Sequence, residues 1–208
     1  LHHSPWWDYY NAVEDYFGRL AFMLTQGSAV RDVLVIHPVE SAWGLLPGED
    51  DDGKGLSHYQ QAVNTICYAL SGQHYDWDFG DEDILERHAR VDAGTLHVEQ
   101  ARYRLIVVPP AVTLRESTVA MLEDFIGSGG QVLFIGDPPA LVDGKADDRP
   151  QEFAASANAS IDEPEAYIEA IEQLMPRRVS ITADGQEDES CWIMLREIDG
   201  GQILFIDT

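Results

Sequence analysis

Three short runs of almost uninterrupted apolar residues constrain this chain more than any other feature: Val33-Leu34-Val35-Ile36, Leu105-Ile106-Val107-Val108 and Val132-Leu133-Phe134-Ile135. A strand with one wet face alternates apolar and polar residues. A strand that is apolar at every position needs cover on both faces, as in a parallel sheet. Segments of helical period lie between the runs. Tyr59, Val63, Ile66, Cys67 and Leu70 share one helix face, with Ser57 as candidate cap. Val119, Leu122, Phe125 and Ile126 share another, opened by Thr113 and Glu116 at capping-box spacing and closed by Gly129-Gly130. Tyr167, Ile168, Ile171, Leu174 and Met175 make a third, over about 164–175. Helices alternating with buried strands predict an α/β fold with a doubly wound parallel sheet, in which 32–37, 104–108 and 131–135 are neighbours.

Ser4 and Pro5 suit the start of a helix carrying Val13, Phe17, Leu20 and Leu24, ended by Gln26-Gly27, so residues 1–30 are expected to be a linker helix. Residues 38–55, rich in Pro, Gly and Asp, predict a loop. Tyr75-Asp76-Trp77-Asp78-Phe79 alternates as a short strand, Asp81 caps a short helix, and Thr95–Val98 is a small extra strand. Residues 137–163 are polar and predict a long mobile loop. Three strands close the chain, Arg178–Thr182, Cys191–Glu197 and Gln202–Asp207. The last two are joined by Asp199-Gly200-Gly201 as an antiparallel hairpin added to the sheet edge. The opening Leu1-His2-His3 without a Met, and an end on a strand, lead us to expect one domain, 1–208, of a longer chain.

Charge narrows the partners. The chain has 37 acids against 13 bases, a formal charge of −24. Such a field repels nucleic acid and anionic membrane, so neither is expected as a partner. No apolar run approaches the about 18 residues of a membrane span. Cys67 and Cys191 are the only cysteines, and both read as buried free thiols. No Cys/His spacing suits a metal, no cofactor fingerprint follows the first strand, and a cytoplasmic setting is the expectation.

Several phrases then occur together: His2-His3-Ser4-Pro5-Trp6-Trp7, Tyr16-Phe17-Gly18-Arg19-Leu20, Val33-Leu34-Val35-Ile36-His37-Pro38-Val39-Glu40-Ser41-Ala42-Trp43, Tyr75-Asp76-Trp77-Asp78-Phe79 and Gly129-Gly130-Gln131-Val132-Leu133-Phe134-Ile135-Gly136. Over nearly its whole length the chain resembles the domain that follows the catalytic barrel in large bacterial glycoside hydrolases. It looks most like proteins related to family 106 α-L-rhamnosidases, and is similar to the middle domain of family 42 β-galactosidases. The resemblance implies a flavodoxin-like fold of the class I glutamine amidotransferase type. It implies a non-catalytic accessory or oligomerisation role in carbohydrate metabolism. The implied partners are an upstream barrel and downstream β-domains of the same chain, with carbohydrate contact and a homo-oligomer as further possibilities. The alternative is a free-standing amidotransferase-like hydrolase with an unrecognised nucleophile.

The residues themselves offer little chemistry. An amidotransferase needs a Cys on a strand-to-helix elbow, yet the elbow after Val107-Val108 reads Pro109-Pro110-Ala111. No Gly-X-Ser-X-Gly motif supplies a serine instead. No catalytic residue is therefore assigned. Asp76 and Asp78, at i and i+2 on one strand face, are either a sugar-facing carboxylate pair or a solvated strand end. His37, Glu40 and Trp43 leave the carboxyl end of the first buried strand, where open α/β sheets bind ligands. Trp43 is suited to stack on a sugar or to pack on a partner domain, and Glu40 to accept from hydroxyls or cap a turn. His2, His3, Trp6 and Trp7 carry the same ambiguity, with a domain junction favoured over metal binding.

Overall fold

The computed structural model describes residues 2–45, 55–155, 158–159 and 163–208. A 3-10 turn at Trp7–Tyr9 leads into α1 (Tyr10–Leu24), and Trp7 N–H donates to the Ser4 carbonyl, so the Ser4 side chain is not the cap. No residue of α1 is buried. The expected inner face is uncovered: Val13 and Phe17 are exposed, and only Leu20 and Leu24 are half-buried. Then come β1 (Ser28–Ala29) and β2 (Val33–Ile36), the latter buried at every position. The predicted loop over 38–55 begins instead as a short helix, α2 (Val39–Gly44), and residues 46–54 lie outside the described residues. Helix α3 (Leu56–Gly72) is preceded by Gly55 with no side-chain cap, so Ser57 lies inside the first turn.

Strand β3 (Trp77–Gly80) follows, and Asp81 caps α4 (Glu82–His88) by accepting from the Asp83 and Ile84 amides at 3.0 and 3.1 Å. The single small strand expected at Thr95–Val98 is the middle of an antiparallel meander of β4 (Ala89–Asp92), β5 (Thr95–Val98) and β6 (Ala101–Tyr103). Ala93-Gly94, both at positive φ, turns its first hairpin. After β7 (Leu105–Val108), β8 (Thr113–Leu114) occupies the position read as a cap. The first amide of helix α5 (Glu116–Gly127), that of Glu116, donates at 3.3 Å to Oδ1 of Asp143, a residue distant in sequence. Strand β9 (Gln131–Ile135) leaves Gly130, whose added Cβ would stand 2.5 Å from the Phe125 ring, so only glycine fits there.

The predicted mobile loop over 137–163 is largely structured. It holds β10 (Leu141–Val142), β11 (Lys145–Ala146), α6 (Arg149–Ala154) and β12 (Asn158–Ala159), while 156–157 and 160–162 lie outside the described residues. Asp143-Gly144, at φ 48 and 71, makes the tight turn that a reading by composition overlooks. Helix α7 (Pro164–Leu174) follows as expected. The predicted strand Arg178–Thr182 is absent: among the described residues no strand pairs with 178–181, and Arg177 and Arg178 anchor the segment by ion pairs instead. A two-residue hairpin, β13 (Thr182–Ala183) and β14 (Gln186–Glu187), comes in its place. The chain closes with β15 (Trp192–Ile198) and β16 (Gly201–Asp207), turned at Gly200.

The architecture is α/β. Five parallel strands pair in the order β12-β9-β7-β2-β3, with β2, β7 and β9 adjacent as the apolar runs predict. Numbered by their succession in the chain, these strands stand 2-1-3-4-5. Each strand sends alternate residues to opposite faces. Leu34, Ile36, Ile106, Val108 and Phe134 pack under Val119, Leu122 and Phe125 of α5, together with Leu85, Leu96 and Tyr103. Val33, Val35, Leu105, Val107 and Leu133 pack under Ile66 and Leu70 of α3 and Tyr167, Ile168 and Ile171 of α7. Each such side chain contributes roughly 1.5–3 kcal/mol on burial. The terminal hairpin is not an edge addition to this sheet. It forms a separate antiparallel sheet, β1-β15-β16, because Gly27, at φ 58, brings β1 alongside β15. A Cβ on Gly27 would lie 1.9 Å from the Glu197 carbonyl oxygen.

Candidate functional site

The five candidate residues separate to opposite ends of the parallel sheet. At the carboxyl end, His37 follows β2 and its amide donates to Gly80 O at 2.9 Å, while its ring lies 5.0 Å from that of Phe79. Helix α2 starts two residues on. Its buried Ser41 holds it down: Ser41 Oγ accepts from the Val112 and Thr113 amides at 3.0 and 3.1 Å and donates to Thr113 O. Glu40 forms a close ion pair with Arg115, so its carboxylate is already engaged. Arg115 also meets Glu86 at 3.1 Å and Asp83 at 3.5 Å, and its amide donates to buried Glu82 at 2.8 Å. Burial pushes the Glu82 carboxyl above the usual carboxylate range against the Thr118 hydroxyl and the Arg115 amide. Trp43, on the same short helix, is 63% exposed. This end therefore offers an aromatic face standing beside an acidic cluster.

Asp76 and Asp78 lie on the far side. Trp77 pairs with Val33 in the parallel register, which sets Asp76 beside the amino end of β2, about 16 Å of strand away from His37. Both carboxylates converge on one guanidinium: Arg31 meets Asp78 at 3.1 Å and Asp76 at 3.5 Å. Tyr103 Oη donates to Asp78 at 2.9 Å. Asp76 Oδ2 is buried with no partner among the described residues. Burial, opposed by Arg31 and aided by Asp78, pushes Asp76 up to about 6. The shared face read from their i, i+2 spacing is real, and what it holds is an internal ion pair with Arg31.

Sequence reasoning missed the density of charge at this amino end. Asp32 accepts from Arg104 at 2.9 and 3.0 Å and from Arg178. Burial raises its carboxyl, but the two guanidiniums outweigh that and hold it below the usual range. Close by, His74 is buried in a left-handed backbone conformation (φ 60) and meets Glu187 at 2.7 Å. Arg177 bridges Glu187 and Glu172, and Glu172 accepts from Tyr75 Oη. Arg31 and Arg104, each placed just before a buried strand, were the visible signal; the partners from 172–187 were not.

Nucleophile chemistry finds no support. Pro109, Pro110 and Ala111 at the elbow after β7 are buried. Cys67, expected to be buried, is only half-buried, and burial still pushes its thiol up to about 12, so thiolate is scarce near neutral pH. Cys191 is buried, and both cysteines are free. Among the described residues no three His, Cys, Asp or Glu side chains are grouped to hold a metal ion, and no helix is long and apolar enough to cross a membrane.

No family model matches the sequence, and no curated protein matches it. The fold is similar to part of a rhamnosidase from Novosphingobium sp. PP1Y (TM-score 0.58, 18% identity), covering 97% of this chain and 19% of that one. It is similar to part of an exo-carrageenase GH42 from Bacteroides ovatus (TM-score 0.52, 14% identity), covering 94% of this chain and 24% of that one. A GH42 β-galactosidase from G. stearothermophilus shares the fold over 86% of this chain and 34% of its own (TM-score 0.57, 13% identity). This chain thus spans about a fifth to a third of the length of these glycoside hydrolases.

Proposed function

We propose that this chain is a non-catalytic accessory domain of a glycoside hydrolase, of the flavodoxin-like, doubly wound kind. One observation carries the reading: almost the whole chain matches the fold of a minor portion of three glycosidases. The strand order 2-1-3-4-5 and the helices on both sheet faces support the flavodoxin-like assignment. The buried Pro-Pro-Ala elbow and the scarce Cys67 thiolate speak against an amidotransferase-like hydrolase.

In this reading the catalytic carboxylates belong to a barrel elsewhere in the parent protein, and the domain supports its assembly. The exposed side of α1, with Val13, Tyr16 and Phe17, and Trp6 and Trp7 just before it, suit a domain junction or subunit contact. His37, Glu40 and Trp43 are the segment proposed to face the sugar site or a partner domain, with Trp43 as the stacking face. Asp76 and Asp78 are proposed as structural groups rather than sugar ligands, since Arg31 occupies both.

The test is a panel of aryl-glycosides offered to the purified chain and to the intact parent. The expected result is turnover by the parent alone, and a lowered melting temperature or altered oligomer when this segment is excised. Turnover by the purified chain, abolished by replacing an acid within it, would overturn the proposal.

A further inference from the structure

In a chain with 37 acids and 13 bases, five arginines line one continuous groove at the amino end of the sheet. Its two lobes, of about 220 and 340 Å³, share Arg31 and Arg102, and Arg104, Arg178 and Arg196 complete the lining. Only three acids, Asp32, Asp78 and Glu197, line it with them. Arg102 is exposed and makes no ion pair among the described residues. Arg196 donates to the carbonyls of Gln26 and Gly27, so no carboxylate neutralises it. Register sets a second guanidinium farther out: Arg90, His97 and Arg102 stand side by side across β4, β5 and β6. The two guanidiniums of this row have no carboxylate partner within it.

The groove's walls are also unusual. On one side run Gly27, Ser28 and Ala29, and on the other Gln100, Ala101 and Arg102. Strands β1 and β6 are each the last strand of their sheet, so two unpaired strand edges flank the groove. The Val30 amide donates to Leu195 O at 2.9 Å, which by antiparallel alternation turns the Ala29 N–H and C=O away from β15 and toward the groove. An uncovered edge is a template for another strand.

We propose that this groove docks an extended acidic peptide segment of a partner polypeptide, which pairs with the free edge of β1 and sets its carboxylates on Arg102 and Arg196. Main-chain bonds to an edge supply affinity in this mode of recognition, and the alternate side chains supply specificity. The chain's remaining acids do not forbid such a partner, because at physiological salt charges beyond about 8 Å are screened and the local guanidiniums dominate. A polyanionic saccharide would satisfy the arginines but leave the strand edge unpaired.

The probe is a fluorescein-labelled hexapeptide of alternating Glu and Val, titrated into the intact chain at physiological salt by anisotropy. Its Lys-Val counterpart, a copy N-methylated at alternate amides, and an oligogalacturonate of equal charge are the comparisons. Saturable binding of the Glu-Val peptide is expected, weakened about tenfold or more by Arg102→Glu, by N-methylation and by high salt. Arg102→Gln, a milder change at an exposed position, is expected to weaken binding in the same direction with an unchanged melting temperature. The proposal is overturned if the Glu-Val peptide fails to saturate at low millimolar concentration. It is overturned equally if the N-methylated copy or the oligogalacturonate binds as well, since charge alone would then be read. Either failure leaves the accessory-domain reading intact, because that rests on fold likeness and not on this groove.

Discussion

The two ends of the parallel sheet are held together by different means. At the carboxyl end, an uncharged side chain does most of the holding: Ser41 ties α2 to the segment after β7 through three backbone groups. Arg115 sits there among Glu40, Asp83 and Glu86, and Arg87 also pairs with Asp83. At the amino end, guanidiniums and carboxylates alternate through space, Arg31 with Asp76 and Asp78, Arg104 and Arg178 with Asp32. The Ser41 hydroxyl that anchors the first end does not titrate, although ion pairs stand beside it, whereas the anchors of the second end are themselves charge pairs that titrate. Strand topology foretells that loops gather at the first end. It says nothing about which side chains meet at the second.

The sharpest way to break this comparison is Ser41→Ala. It leaves the buried Val112 and Thr113 amides without their acceptor, and each unsatisfied buried group costs about 1–3 kcal/mol, so a loss of about 3 kcal/mol is expected. Chemical denaturation at pH 7 measures it, and the loss should hardly change between pH 5 and about pH 8. Asp32→Ala comes next. Its carboxylate is 14% exposed, whereas Arg104 and Arg178 are 46% and 40% exposed and can rehydrate, so about 2 kcal/mol is expected. The sign follows from a folded pKa depressed below the ordinary 3.8: the contribution is present above that value and is lost as pH falls through the folded one. Equal losses for Ser41→Ala and Asp32→Ala at pH 7 and at strongly acid pH would erase the distinction between the two ends.

Asp76 provides a third contrast, with opposite sign to Asp32. Its folded pKa is raised from 3.8 to about 6, so the folded chain prefers the protonated carboxyl. The contribution is full below the unfolded value and is lost as pH rises through about 6. Asp76→Asn keeps the shape without the charge and is expected to flatten that slope by about 2 kcal/mol between pH 4 and about pH 7, after allowance for its partial exposure. A variant whose stability tracks the parent chain across this range would show that Asp76 is ionised in the fold without penalty.

How much of this was legible in the sequence depends on sequence distance. The adjacent trio β2, β7 and β9 was readable, because a strand buried on both faces writes its environment into every residue. Asp81 was readable as a cap because its partners are two and three residues away. The cap expected from Thr113 and Glu116 failed because the tertiary fold supplied Asp143 from 27 residues on. The loop expected at 137–163 failed because strands of two residues leave no periodicity, and the Asp143-Gly144 turn was passed over. At the candidate sites, His37, Glu40 and Trp43 were placed together by local succession alone, while Asp32 and Arg178, 146 residues apart, could only be joined by the fold.

The smallest expected effect on stability is that of Trp43→Ala, and its smallness is what makes it decisive. Trp43 is 63% exposed on a helix of six residues whose attachment runs through Ser41, so the isolated chain should lose less than about 0.5 kcal/mol. Glu40→Gln should cost more, because it weakens the ion pair with Arg115, although that pair is part-exposed and worth no more than about 1 kcal/mol. A packing role within this chain predicts the reverse order, with the indole mattering more than the carboxylate. In the intact parent the two variants should separate again. If the carboxyl end faces the sugar or a partner domain, Trp43→Ala lowers kcat/KM or loosens the assembly at unchanged melting temperature. Glu40→Gln, whose carboxylate is held inside the domain, changes stability first. Normal kcat/KM and an unchanged oligomer for Trp43→Ala in the intact protein would leave that indole an ordinary surface residue and would remove the carboxyl end as a functional face.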